Sequence, residues 1–225
     1  MKYLFVIVSS IVLVVVAVSC GGGDSTDKDV ASSKVEAPAR NILSVVEQGD
    51  TAAVRQHINA GTDPNEYEKP VGFTMQNLRK SGITGVYPIH LAVIKDNQEV
   101  LQVLIDGGAN LNVKSNDEHG FTALHWAAYY CLNDMASLLM DLGATVNVLD
   151  TNNATPVDVA VAGEEIGLAR LMEEQNSNNY TYTTDAGELV PGCSVKSEDA
   201  QEAKKQLDDL LVILETHGGK ASKDL

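Results

Sequence analysis

Basic residues are scarce in this chain: 16 Lys and Arg stand against 31 Asp and Glu, a formal net charge of -15. Nucleic-acid binding needs cations that neutralise phosphates and release counterions, so nucleic acid is excluded as a partner. Metal-type spacing is missing as well, because the three cysteines and five histidines are scattered and never form the paired clusters of a zinc site. There is no Gly-rich phosphate loop, no nucleophile elbow and no defended pair of carboxylates. The reading is therefore a non-enzyme with no catalytic residue, no metal and no cofactor. The longest apolar run falls short of the ~20 residues with anchoring flanks that a spanning helix requires.

What is present begins with enough apolar content, 44% of 225 residues, to bury a core and exclude a disordered chain. At the N-terminus Lys2 supplies a positive charge and Tyr3 to Val18 is apolar except for Ser9 and Ser10. The run ends at small residues, as a signal peptide requires, so residues 1–19 are expected to be removed. The segment Ala17-Val18-Ser19-Cys20 resembles the bacterial lipobox. That resemblance implies a diacylglyceryl group on Cys20 and, at about 0.8 kcal/mol per buried methylene, a stable lipid anchor to the membrane. Cleavage without lipid is the alternative. Gly21 in place of an Asp favours, by analogy, the outer membrane, giving an expected location on the periplasmic face of the bacterial envelope. Residues 20–38, rich in Gly, Ser, Asp and Lys, have the composition of a flexible tether.

One pattern is written three times in the body: Tyr87-Pro88-Ile89-His90-Leu91-Ala92, Thr122-Ala123-Leu124-His125-Trp126-Ala127 and Thr155-Pro156-Val157-Asp158-Val159-Ala160. It steps almost evenly, from Pro88 to Ala123 and from Ala123 to Pro156. Glycine followed four residues later by asparagine recurs independently at Gly61/Asn65, Gly108/Asn112 and Gly143/Asn147. Two landmarks moving together at a period of about 33 residues resemble the ankyrin repeat, with its Thr-Pro-Leu-His-x-Ala signature and two helices per unit. The implied fold is all-α: a solenoid of about four helix-turn-helix units over 39–66, 85–115, 119–149 and 152–176, closed by a C-terminal capping helix.

Each position has a physical reason. Thr122 can cap the following helix, and proline suits a first turn whose N–H has no partner. Ala92, Ala127 and Ala160 are small where helices approach, while Leu91, Trp126 and Val159 fill the space between units. The second helices, Val100 to Ile105 and Met135 to Met140, are apolar at i, i+3 and i+4 and stop at glycine. Asn41 to Asn65 lacks the Thr-Pro start and is expected to cap the N-terminal end, where one face meets water.

The repeat is interrupted twice. Residues 67–84 add about 12 to 14 residues to the first period, an enlarged finger. Glu164 to Leu168 reads as the fourth second helix, one residue short, followed by an irregular segment over 177–196. Over 197–225, Ala203, Leu207, Leu210, Leu211 and Leu214 recur at helical spacing, and this helix is expected to lid the open end of the stack. Cys131, at the turn between two helices, and Cys193, in the irregular segment, could pair in an oxidising compartment, but unpaired thiols are the favoured expectation.

The family resemblance implies that another protein is bound, and that finger tips and exposed ends of the first helices meet it. Those positions are Ile83, Thr84, Val86, Ile94 and Lys95, then Glu118, His119, Phe121, Tyr129 and Tyr130, then Thr151, Asn152 and Ala154. Phe121, Tyr129 and Tyr130 are expected as aromatic anchors, which often carry about 2 kcal/mol or more each at interfaces. The alternative is that these rings pack on one another. His90 and His125 occupy the signature histidine and are expected to tie turns together. The expectation is thus a monomeric, lipid-tethered binding protein; a structural lipoprotein with no specific partner, or an enzyme with its site in the insertions, are the competing readings.

Overall fold

A computed structural model of the chain describes residues 36–66, 85–165, 193 and 200–225, and all regular structure among them is helical. Cys20, Ile83, Thr84 and the finger at 67–84 lie outside the described residues. Helix α1 (Ile42–Glu47) starts where the Asn41 side chain accepts the Ser44 N–H, and α2 (Thr51–Asn59) where Asp50 accepts that of Ala53. In α3 (Pro88–Ile94) proline takes the first helical position, and α4 (Gln98–Asp106) is capped by Asn97 on the Val100 N–H. Then come α5 (Ala123–Tyr129), α6 (Asn133–Asp141), α7 over 156–165, α8 (Ala200–Thr216) and a 3-10 turn (Ser222–Asp224).

These helices bury little alone, so they stack. The first helices α1, α3 and α5 pack side by side, as do α2 on α4 and α6 on α8. Their shared seam holds the residues expected there: Leu91, Trp126 and Val159, with Ala92, Ala127 and Ala160 at the close approaches, are all buried. Gly163 shows how close the approach is, since a Cβ there would sit 2.7 Å from the Tyr129 carbonyl oxygen of α5.

The second helices end identically. Gly61, Gly108, Gly143 and Gly218 all adopt positive φ, between 85° and 94°. The residue after each donates back five positions, from Thr62 to His57 (3.0 Å), Ala109 to Leu104 (2.9 Å), Ala144 to Leu139 (2.9 Å) and Gly219 to Leu214 (2.8 Å). Left-handed glycine permits this closure, which satisfies the orphan carbonyls of the last turn. An asparagine then clasps the next unit. Asn65 donates to the Gly108 carbonyl (3.0 Å) and accepts from the Asn110 N–H (2.7 Å); Asn112 accepts from Thr145 (2.7 Å). Asn147 donates to the Gly218 carbonyl and accepts from Lys220, both at 2.9 Å.

This places α8 differently from the sequence expectation. Asn147 clasps the end of α8 as Asn65 clasps the end of α4, and α8 lies on α6 as α4 lies on α2. Helix α8 therefore takes the place of a second helix for the fourth unit as it closes the end of the described stack. Glu164 and Glu165, read as opening that second helix, instead continue α7. The unit is assembled from two separate stretches of chain, 156–165 and 200–219. Asn147→Ala removes both clasp bonds and is expected to lower stability by about 1 kcal/mol, read as a lower urea midpoint with unchanged slope.

The cysteines also correct an expectation. Cys131 and Cys193 form a disulfide with a Cα–Cα distance of 5.1 Å, contrary to the expectation of unpaired thiols. Cys131 sits at the turn between α5 and α6 with φ +53°, the left-handed position that Gly49 and Asp96 fill in the first two units. Its partner is fixed by Glu164, whose carboxylate accepts the buried Cys193 N–H at 2.7 Å.

Candidate protein-binding surface

The two described fingers are each held from inside by one aspartate. The Asp117 carboxylate accepts from the Ser115 hydroxyl (2.8 Å) and from the His119 and Gly120 N–H groups (3.0 Å each). Asp150 accepts from the Asn152 (2.7 Å) and Ala154 (2.8 Å) N–H groups. Short polar side chains suit tight turns because they bond the backbone a few residues on. Neighbouring fingers then join through the backbone. Asn116 donates to the Gly85 carbonyl (2.8 Å), and Thr151 donates to that of His119 from its N–H (3.0 Å) and from its hydroxyl (2.8 Å). The Thr151 hydroxyl also bonds the Glu118 carbonyl.

Beneath the fingers lie the two signature histidines. The Nδ1 of His90 accepts the Tyr87 N–H (3.2 Å) while its Nε2–H donates to the Val113 carbonyl (2.9 Å). His125 repeats this: Nδ1 faces the Thr122 N–H (3.2 Å) and hydroxyl (2.8 Å), and Nε2 faces the Ala154 carbonyl (3.2 Å). Each ring thus ties its own helix start to the following finger, and the bonds select the neutral imidazole protonated on Nε2. Burial, partly offset by the Val113 carbonyl and Asp117, pushes His90 down to about 4. Burial likewise lowers His125.

At the same place in the fourth unit stands Asp158. It accepts the Thr155 N–H and hydroxyl and the Ser222 N–H, each at 2.9 Å. The segment after α8 presents an N–H where the others present a carbonyl, so an acceptor replaces the imidazole donor. Burial alone would raise its carboxyl, but the bonds from Thr155 and Ser222 hold it below its ordinary value.

The expected contact residues divide into two groups. Lys95, Glu118, Thr151 and Asn152 are exposed, and His119 and Tyr129 are half-buried. These lie along the finger tips and the helix ends. Four others belong to the core, contrary to expectation: Val86 is 0% exposed, Ile94 2%, Phe121 7% and Tyr130 3%. Phe121 stacks on His125 with centroids 5.3 Å apart and meets the edge of Trp126 at 4.9 Å. Tyr130 stacks on Trp126 at 5.9 Å, and Tyr129 crosses Tyr130 at 5.1 Å. The rings pack on one another, and the aromatic anchor patch reduces to part of Tyr129.

A signal for this was available in the register. Val86, Phe121 and Ala154 occupy the same place two residues before the helix start, and all are apolar. An apolar residue recurring at one repeat position is the mark of a buried seam rather than of a binding surface. Ala154 is itself packed against the core. Among the described residues no three His, Cys, Asp or Glu side chains gather as metal ligands, and no helix is long and apolar enough to cross a membrane.

Comparison with known proteins matches residues 42–150 to the family of ankyrin repeats, in three copies. An ankyrin repeat protein of Acanthamoeba polyphaga mimivirus is 30% identical over 49% of the chain, and the neurogenic locus Notch protein of Drosophila melanogaster is 29% identical over 70%. An ankyrin repeat protein of Borreliella burgdorferi is 29% identical over 40%. The matched stretches make up 14%, 6% and 40% of those relatives, so the chain spans a minor part of each.

Proposed function

We propose that this chain, whose residues 42–150 are three ankyrin repeats, is a protein-binding module tethered to a bacterial envelope by a lipid on Cys20. The observation that carries the binding reading is how the described helices spend their side chains. Nearly every apolar side chain of α1 to α6 faces the common seam, and the signature histidines His90 and His125 and the finger aspartates Asp117 and Asp150 are consumed in turn hydrogen bonds. Along the described finger tips and first-helix ends this leaves a polar rim that includes Lys95, Glu118, His119, Thr151 and Asn152, with part of Tyr129. Such a rim on a rigid scaffold suits recognition of another protein, and the net charge of -15 favours a partner with basic patches.

The disulfide between Cys131 and Cys193 supports export, because cytosolic thiols are kept reduced while a periplasm permits pairing. The lipid anchor rests on the lipobox resemblance at Ala17 to Cys20. Mass spectrometry of the mature N-terminus tests it: an acylated Cys20 supports the tether, and a free or uncleaved N-terminus rejects it.

Binding is tested by capture from solubilised envelope. A stoichiometric partner is expected, and Glu118→Arg combined with Asn152→Arg should weaken its capture at least about tenfold with unchanged thermal stability, since both side chains are exposed. A substrate turned over without such a partner would favour an enzyme.

A further inference from the structure

A cavity of about 200 Å³ opens where the α3–α4 turn, the α5–α6 turn and α8 meet, and its walls are Asp96, Cys131, Leu132, Asn133, Asp134 and Gln206. One water takes a share of about 30 Å³ in the liquid, so the space exceeds what a single ordered water fills. Its walls are held in place. Cys131 is bonded to Cys193, and the Asn133 side chain donates to the Gln206 carbonyl at 3.0 Å, fixing α8 against the start of α6. Asp96 and Asp134 are exposed, and neither carboxylate accepts a hydrogen bond or meets a cation among the described residues. The first unit shows what suits such a place. At its own helix-to-helix turn, residues 48–50, the Arg40 guanidinium donates to the Gln48 amide oxygen and to the Asp50 carboxylate, the latter at 3.2 Å. The cavity stands at the corresponding turns, 95–97 and 130–132, and offers the same two kinds of acceptor, but no arginine lines it.

We propose that this cavity is a socket for an arginine side chain of the bound protein, with the Asp96 and Asp134 carboxylates and the Gln206 amide oxygen as its acceptors. The proposal rests on the protein-binding reading above and names where a basic partner is gripped. A guanidinium is planar and presents its N–H donors in a fixed fork, so it bonds a carboxylate through parallel N–H groups while another N–H reaches an amide oxygen. A lysine ammonium has no such fork and is the weaker occupant. A calcium ion takes about six to eight oxygens, and among the described residues no three metal-ligating side chains gather, so the acceptor set fits an organic cation rather than a metal. Leu132 and the disulfide-bonded Cys131 contribute buried, apolar wall, which screens a seated ion pair less than open water does.

Titration of the isotopically labelled full chain with N-acetylarginine amide, followed by NMR, tests the socket. Saturable shifts are expected at the backbone amides of Asp96, Asn133 and Asp134 and at the Gln206 side-chain amide, with N-acetyllysine amide binding several-fold more weakly. Asp96→Asn with Asp134→Asn keeps both side-chain sizes, and asparagine tolerates the left-handed backbone that Asp96 adopts at φ +52°. This double variant should bind the arginine probe about tenfold more weakly or worse. Asp106→Asn with Asp141→Asn removes the same charge outside the cavity and should leave the affinity within about twofold. Shifts spread evenly over the acidic surface, equal binding of the two probes, or equal weakening by the two double variants would overturn the proposal. Capture from solubilised envelope separates the socket from the wider reading. A partner retained in full by Asp96→Asn with Asp134→Asn overturns the socket and leaves the binding module standing, whereas no partner for the unaltered chain overturns both.

Discussion

Leu214→Ala should destabilise the whole repeat stack by about 2–5 kcal/mol, as much as Leu139→Ala, although it lies close to the last residue of the sequence. Both leucines are 0% exposed, and each carbonyl accepts the closing bond of its helix, from Gly219 and Ala144. They are the same position in successive units. A helix that merely covered the end of a finished stack would tolerate the loss more easily, because its groove partner α6 would keep its other contacts. Here α6 has α8 as the neighbour that buries its outer face, with Leu210 and Leu214 fully inside. Urea unfolding of both variants decides the matter: equal losses in one cooperative transition are expected, and a Leu214→Ala loss below about 1 kcal/mol would show α8 to be dispensable.

Acidification from pH 6.5 to pH 4 is expected to remove on the order of 3 kcal/mol through His90 alone, with a further loss from His125. The unfolded chain binds a proton at each imidazole near pH 6.5, while the folded chain holds both neutral. More protons on the unfolded state means stability rises with pH, is complete above about 6.5, and is lost as pH falls toward the folded value. The first cause is burial, which penalises the charged imidazole, and protonating Nδ1 would also place an N–H against the Tyr87 or Thr122 N–H that it now accepts. Asp158, held low by its bonds, adds a loss in the same direction at more acidic pH. Denaturant unfolding at pH 7.5 and pH 4.5 measures the effect. In His90→Asn the difference between the two pH values should shrink by about 2 kcal/mol or more, since the titrating group is gone while the carboxylates remain.

Much of the scaffold was legible along the chain because it depends on local chemistry repeated at a period. Pro88, Ala123 and Pro156 mark helix starts where an unpartnered N–H makes proline harmless, and Gly61, Gly108 and Gly143 mark helix ends where only glycine enters the left-handed region freely. The core positions Leu91, Trp126 and Val159 followed from the same register, as did the structural role of His90 and His125. The contact surface was less legible. Exposure of Lys95, Glu118, Thr151 and Asn152 followed from their place at turns, but Val86, Ile94, Phe121 and Tyr130 are buried, and the two rings reach Trp126 within their own unit. Such reach depends on side-chain direction in three dimensions, which a linear pattern does not carry.

By itself, then, the sequence determined an all-helical stack of paired helices, the helix starts at Pro88, Ala123 and Pro156, the glycine stops at Gly61, Gly108 and Gly143, and the seam positions Leu91, Trp126 and Val159. These are consequences of backbone chemistry within a few residues. Only the tertiary structure decided that α8 completes the fourth unit, that Cys131 meets Cys193 and that the aromatic cluster turns inward. Periodicity ends where the stretch 166–199 intervenes, yet Asn147 still finds Gly218, because burial and hydrogen bonding act between neighbours in space whatever their separation along the chain.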